Sequence, residues 1–209
     1  MKIVPVSYEI VSFNPEEDMK CIERAARLCY KSEEKIREGS DEKIIKFLID
    51  KGHEAMLEHS RLSVIFTVDR GVSHELVRHR LASFAQESTR YCNYSQDKFG
   101  NEITVIKPWF FVESGDNSSR AFNDWSRAMV ECENRYFDML AAGCKPQEAR
   151  SVLPNSLKTE IMVTANYREW RTIFKLRTAP DAHPEIRGVM RALLEYVKVR
   201  VPVVFDDIP

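Results

Sequence analysis

Residues 74–91, HELVRHRLASFAQESTRY, hold the densest set of chemically useful side chains in the chain. Arg78, His79, Arg80 and Arg90 fall within thirteen residues and are interleaved with Ser83, Ser88 and Thr89. Guanidinium groups stay charged and offer forked donors that match phosphate oxygens, while hydroxyls add neutral donors to the same oxygens. The segment reads as an anion cradle built without glycine. The competing reading is a cationic helix end paired with Glu75 and Glu87, since cations near a helix C-terminus contribute ~0.3–1 kcal/mol. No GxGxxG and no Walker-type phosphate loop occurs anywhere, so a nucleotide bound here is held by other means.

The elements that must position this segment are legible in the spacing. Residues 3–13 are β-rich and roughly alternating, a strand followed by Asn14-Pro15 and acidic residues that suit a helix start, with Met19, Ile22, Ala26 and Cys29 at helical spacing. A second helix starts with Ser40 as N-cap, carries Ile44, Ile45, Leu48 and Ile49, and ends at Gly52 in the left-handed stop position. Leu62, Val64, Phe66 and Val68 alternate as a strand that Asp69-Arg70-Gly71 ends, and Ser73 is read as the cap of the following helix, so the chain turns from strand to helix just before Arg78.

Further along, a short strand near Glu102–Ile106 precedes a long helix from Ser119 to Ala142 with Phe122, Trp125, Met129, Cys132, Tyr136, Met139 and Leu140 on one face. Pro146 opens a short helix that ends before Pro154, residues 159–165 alternate again, Tyr167–Arg177 is helical, and Pro184 opens a last helix. The class is α+β, helix-rich, with a central and mostly antiparallel sheet. No repeat, linker or composition shift marks a boundary, so residues 1–209 are read as a single domain.

Composition narrows the function. With 31 Lys+Arg against 32 Asp+Glu the formal charge is −1, so no global positive field draws in nucleic acid or an anionic membrane, and any anion site is local. No apolar run reaches the ~18–20 residues of a membrane helix, and the start lacks a signal-peptide pattern, which makes the cytoplasm the default location. Cys21, Cys29, Cys92, Cys132 and Cys144 are odd in number, widely spaced and without a CxxC pair, so they read as reduced thiols rather than disulfides or metal ligands. Seven glycines in 209 residues is half the usual ~7% and favours long helices over turn-rich sandwiches.

The order of residues adds more. Arg78-His79-Arg80, seven residues and Ser88 resemble the signature of the flavin-dependent thymidylate synthases. Gly52-His53-Glu54 and Leu57-Glu58-His59 upstream, Arg150-Ser151-Val152-Leu153-Pro154 downstream, then Asn166-Tyr167-Arg168 and Leu176-Arg177 are similar to further elements of that family and lie in the same order.

The resemblance implies FAD bound between the subunits of a homotetramer, dUMP stacked near the flavin ring, methylenetetrahydrofolate as one-carbon donor and NADPH as reductant. It implies FAD contacts by His53, Arg78, His79, Arg80, Gln86, Asn166, Arg168 and Thr172. It surrounds dUMP with Glu75, Arg78, Gln86, Glu87, Ser88, Arg90, Arg150 and Arg177, placing Ser88 and Arg90 at the phosphate and Arg177, as the catalytic group, at the uracil base. Gln86 stands where many members carry glutamate, Glu75 where glutamine is frequent, and Ala55 and Thr172 replace polar side chains that touch FAD in other members. Without the resemblance, His53 reads as a helix end, Arg150 as a partner of Glu148 or Glu160, Arg177 as a cap of its own helix and Asn166 as a strand end.

An always-protonated Arg177 at the uracil edge favours negative charge at N3 and O2, which feeds electron density to C5. Ser88 as a nucleophile with His79 as its base is the rival chemistry, and a serine among arginines suits gripping phosphate better. Two alternatives for the whole chain are a flavoprotein oxidoreductase on another nucleotide-like substrate and a nucleic-acid module with the Arg78–Arg80 segment on a recognition helix, which the near-neutral charge disfavours.

Overall fold

The computed structural model describes residues 1–115 and 117–209. Among these, six strands occur: β1 (Lys2–Val4), β2 (Ser7–Phe13), β3 (Leu62–Asp69), β4 (Ser83–Gln86), β5 (Thr104–Ile106) and β6 (Lys158–Ala165). The α-helices are α1 (Pro15–Tyr30), α2 (Ser40–Asp50), α3 (Arg70–Leu76), α4 (Trp109–Ser114), α5 (Arg120–Ala141), α6 (Pro146–Ala149), α7 (Tyr167–Arg177), α8 (Pro184–Arg200) and α9 (Pro202–Phe205). β1 pairs in parallel with β5, with Ile3 opposite Val105, and the other four strands form an antiparallel sheet in the order β2-β3-β6-β4. The fold is the helix-rich α+β class that the spacing indicates.

Three local readings need correction. The strand expected over residues 3–13 is two strands in two sheets, β1 and β2, broken at Pro5, which has no N–H to offer a ladder. Gly39, at φ 68°, and not Ser40, is the N-cap of α2. The Ser40 hydroxyl instead accepts the Arg37 N–H at 2.9 Å and donates to Glu23 at 2.8 Å. The cap of α3 is Asp69, whose carboxylate accepts the Val72 N–H at 2.7 Å, and Ser73 lies inside the helix. Gly52 closes α2 as read, at φ 69° with its N–H on the Ile49 carbonyl, and Ser119, read as the first residue of the long helix, is the N-cap of α5, its hydroxyl accepting the Phe122 N–H.

The chain contains two compact units, one of residues 1–7, 66–78 and 85–161, the other of residues 8–65, 79–84 and 162–209. In the first, α5 presents Met129 and Tyr136 to a core of Tyr94, Ile103, Val105, Ala149 and Leu157, with Trp125, Met139 and Leu140 packed at its margin. Each large side chain buried this way contributes about 1.5–3 kcal/mol. This core holds in place the two segments, 86–94 and 146–157, that carry Ser88, Arg90 and Arg150.

In the second unit, α7 buries one face, with Tyr167, Trp170, Ile173 and Phe174 in the core. Trp170 packs on Phe174 and Phe174 on Phe205, with ring centroids 5.4 and 5.7 Å apart, and the indole N–H donates to the Leu62 carbonyl at 3.0 Å. Among the described residues no helix is long and apolar enough to cross a membrane.

Candidate active site

In the first unit, α3 stops at Leu76, and Arg78 follows on an exposed turn whose N–H donates to the Glu75 carbonyl; Glu75 itself is half-buried on α3. Where the chain re-enters the unit, Gln86 at the end of β4 turns inward. Its amide donates to Ser73 at 2.9 Å and to Thr159 at 3.1 Å, tying α3, β4 and β6 together. Glu87 is committed as well: it accepts Lys158 at 2.9 Å and the Tyr94 hydroxyl at 3.1 Å, and its main-chain N–H donates to the Glu160 carbonyl.

Beyond Glu87 the chain tightens into a turn. The Ser88 carbonyl accepts N–H bonds from Tyr91 and Cys92, and its hydroxyl accepts the Arg90 N–H at 3.3 Å. The turn is then joined to the α6 region by two side-chain contacts, Arg90 Nε to Gln147 at 3.1 Å and Arg150 to Thr89 at 3.4 Å. Thr89 and Arg90 are thereby gathered with Gln147 and Arg150, which are distant from them in sequence. Cys92 beside them has its thiol pushed up by burial and is a poor nucleophile at neutral pH.

Thr89, Gln147 and Arg150 line a cavity of about 530 Å³ together with Arg70 and His74. Neither residue stands out in the sequence. Arg70 reads there as part of a strand end, and His74 as a flank of the arginine cluster. The available signal is spacing: residues i and i+4 of a helix share a face, and α3 puts Arg70 and His74 on one side. Arg70 is also oriented by Thr159, 3.4 Å away. Two guanidiniums, an imidazole, a hydroxyl and an amide around one cavity suit an oxygen-rich anion.

The second unit holds the other group. His79 is buried, and its Nε2 accepts the Arg177 Nε–H at 3.0 Å, joining the turn after α3 to the last residue of α7. Burial, with the Arg177 charge beside it, lowers the imidazole to about 4, so the ring is neutral at physiological pH. On the other side of the ring, Nδ1 lies 3.9 Å from the carboxylate of Glu169, itself buried and pushed up by that burial. Asn166 caps α7 by accepting the Glu169 N–H at 2.9 Å. Arg168, exposed on α7, donates to Glu58 at 2.6 Å, and Thr172 donates to the Arg168 carbonyl. His53 is exposed just after α2, its N–H on the Leu48 carbonyl, and Arg80 is exposed beyond His79.

The profile of the family described as "Thymidylate synthase complementing protein" matches residues 9–203. A protein named flavin-dependent thymidylate synthase from Geobacter sulfurreducens is 35% identical over 190 residues, 88% of this chain and 78% of its own. One of the same name from Corynebacterium efficiens is 33% identical over 195 residues, covering 89% and 78%. The chain belongs to the flavin-dependent thymidylate synthase family.

Among solved structures, a UMP/dUMP methylase from Streptomyces cacaoi, bound with 5-Br dUMP, superimposes with a TM-score of 0.78 over 99% of this chain and 96% of its own, at 23% identity. That likeness shows the fold.

Members of this family of enzymes carry a flavin in their name, and the donor set here fits one. Exposed guanidiniums at Arg80 and Arg168 and the exposed His53 imidazole, all in the second unit, are the donor chemistry a dinucleotide pyrophosphate needs. Among the described residues no group of His, Cys, Asp or Glu is arranged to hold a metal ion.

Proposed function

We propose that this chain methylates dUMP to dTMP with FAD bound, methylenetetrahydrofolate as one-carbon donor and NADPH as electron source, working as a cytoplasmic homotetramer in which residues 1–209 act as one functional domain. The observation that carries this reading is the cavity lined by Arg70, His74, Thr89 and Arg150, to which the segment of residues 74–91 contributes His74 and Thr89, the latter next to Ser88 and Arg90 in the chain.

In this reading Ser88, Arg90, Arg150 and Arg78 bind the nucleotide phosphate, with Glu75, Gln86 and Glu87 in the surrounding shell. Gln86 and Glu87 act through the frame they hold, since their side chains are bonded to Ser73, Thr159, Lys158 and Tyr94. His53, Arg78, His79, Arg80, Gln86, Asn166, Arg168 and Thr172 hold FAD or shape its site. Bound FAD would supply the reducing equivalents that turn a transferred methylene into a methyl group.

Arg177 faces the uracil. A guanidinium anchored through Nε has its plane fixed, and a fixed positive plane at the N3–O2 edge stabilises the ionised base over the neutral one, raising electron density at C5 without an enzyme thiolate. The support for this role is that a neutral ring holds Arg177 through Nε and so orients its guanidinium.

The test is an omission assay. Purified protein with dUMP, methylenetetrahydrofolate and NADPH should form dTMP, and removal of any one should stop it. Flavin reduction by NADPH with no dTMP would instead mark an oxidoreductase acting on another substrate.

A further inference from the structure

Glu169 is outside the set of residues assigned to dUMP or FAD. It is a buried carboxylate in the first turn of α7, and its own N–H is fixed by the Asn166 cap, so its backbone position is set. Its side chain faces His79 Nδ1 at 3.9 Å. Eight residues on, Arg177 reaches the opposite nitrogen of the same ring. Eight residues span about 12 Å along a helix axis, and the long Arg177 side chain closes that gap by leaning toward the helix N-terminus, as helical side chains do. One imidazole is therefore bracketed by the two ends of one helix.

Hydrogen-bond chemistry makes this bracket directional. A neutral imidazole has one N–H and one acceptor nitrogen. Nε2 accepts from Arg177, so the proton is on Nδ1, the atom that faces Glu169. In the other tautomer an N–H on Nε2 would oppose the N–H of Arg177, and the guanidinium would have to move.

We propose that Glu169 is a positioning residue for Arg177: by facing Nδ1 it keeps His79 in the tautomer and ring orientation whose Nε2 anchors the guanidinium. The inference rests on the placement of Arg177 at the uracil, and it adds a residue that touches neither substrate nor cofactor.

Two measurements test it. Nitrogen-15 NMR of histidine-labelled protein should show His79 as the Nδ1–H tautomer, with a mixture appearing in Glu169→Leu and a smaller shift in Glu169→Gln, which keeps an oxygen at that place. In the dUMP assay Glu169→Leu should lower kcat about tenfold to a hundredfold, the scale of a reacting group displaced by about 1 Å. Flavin content and the KM for dUMP should stay within about threefold, Glu169→Gln should recover most of the rate, and adding Glu169→Leu to Arg177→Ala should cost nothing further.

An Nε2–H tautomer in the native protein, an unchanged kcat in Glu169→Leu, or losses that multiply in the double variant would overturn the proposal. If the native protein forms no dTMP at all, the functional reading fails while the tautomer still decides the role of Glu169. If Glu169→Leu does not fold, the native spectrum and the rate of Glu169→Gln decide between the two outcomes.

Discussion

Arg171 and Arg177 leave the same helix less than two turns apart and are anchored by different chemistry. Arg171, 2% exposed, is gripped by both oxygens of Asp207 at 2.6 and 2.7 Å, faces Glu54 at 3.3 Å and donates to the Val204 carbonyl. Its hydrogen bonds hold the Asp207 carboxyl below the usual carboxylate range. Arg177 is half-buried and anchored through Nε on a neutral imidazole. A cation answered by carboxylates is spent on joining α7 to the chain terminus. A cation anchored through Nε on an uncharged ring has the plane of its guanidinium set by that ring.

Breaking the second arrangement should have the largest effect on function. Arg177→Ala should lower dTMP formation about 10²–10³-fold, the range for losing one preorganised donor at developing negative charge, with flavin content and melting temperature retained. Full turnover by the variant would remove Arg177 from the chemistry.

Arg171→Ala should do the reverse. It should cost about 3 kcal/mol in urea unfolding, as removal of one partner from a buried pair does, while any folded fraction keeps its activity. A loss below about 0.5 kcal/mol would place Arg171 among ordinary surface charges.

The neutral ring gives a third, pH-dependent contrast. A histidine whose folded pKa lies below its unfolded value contributes stability that is present above the unfolded pKa, about 6.5, and lost as pH falls toward the folded value of about 4. Unfolding free energy should therefore fall across that window with a slope approaching ~1.4 kcal/mol per pH unit, and His79→Gln should flatten it. The same slope in the variant would mean that another group carries it. Asp207, depressed by Arg171, contributes in the same sense at lower pH, so Arg171→Ala should soften the acid limb below that window.

The smallest effect belongs to the half-buried turn at Ser88. Ser88→Ala should weaken dUMP binding about tenfold, one charge-assisted hydrogen bond, and leave measurable turnover. Calorimetric titration with dUMP checks it, and complete inactivity at unchanged affinity would make Ser88 the nucleophile instead.

Much of the fold is legible in the amino-acid pattern. The 3.6-residue and two-residue periods locate the long elements because α5, α8, β3 and β6 each bury one face. The misses are short or depend on distant partners. β4, α4 and α9 are four to six residues long, too short for a period to register.

Ser73 has the chemistry of a cap, but Asp69 stands at the position where the backbone turns, and only the geometry separates them. The ordered motifs single out the arginines. Glu169 is invisible in the sequence because a glutamate in the first helical turn is ordinary helix chemistry, and only the fold brings His79 opposite it.

The central claim is that arginines anchored within the fold hold dUMP where the bound flavin senses it. The most direct measurement is the absorbance difference spectrum of the flavin-loaded protein as dUMP is added. A saturable perturbation in the native protein, strongly reduced in Arg177→Ala at dUMP concentrations that calorimetry shows to be saturating, is the predicted result. A flavin spectrum unchanged by bound dUMP in the native protein would contradict the account.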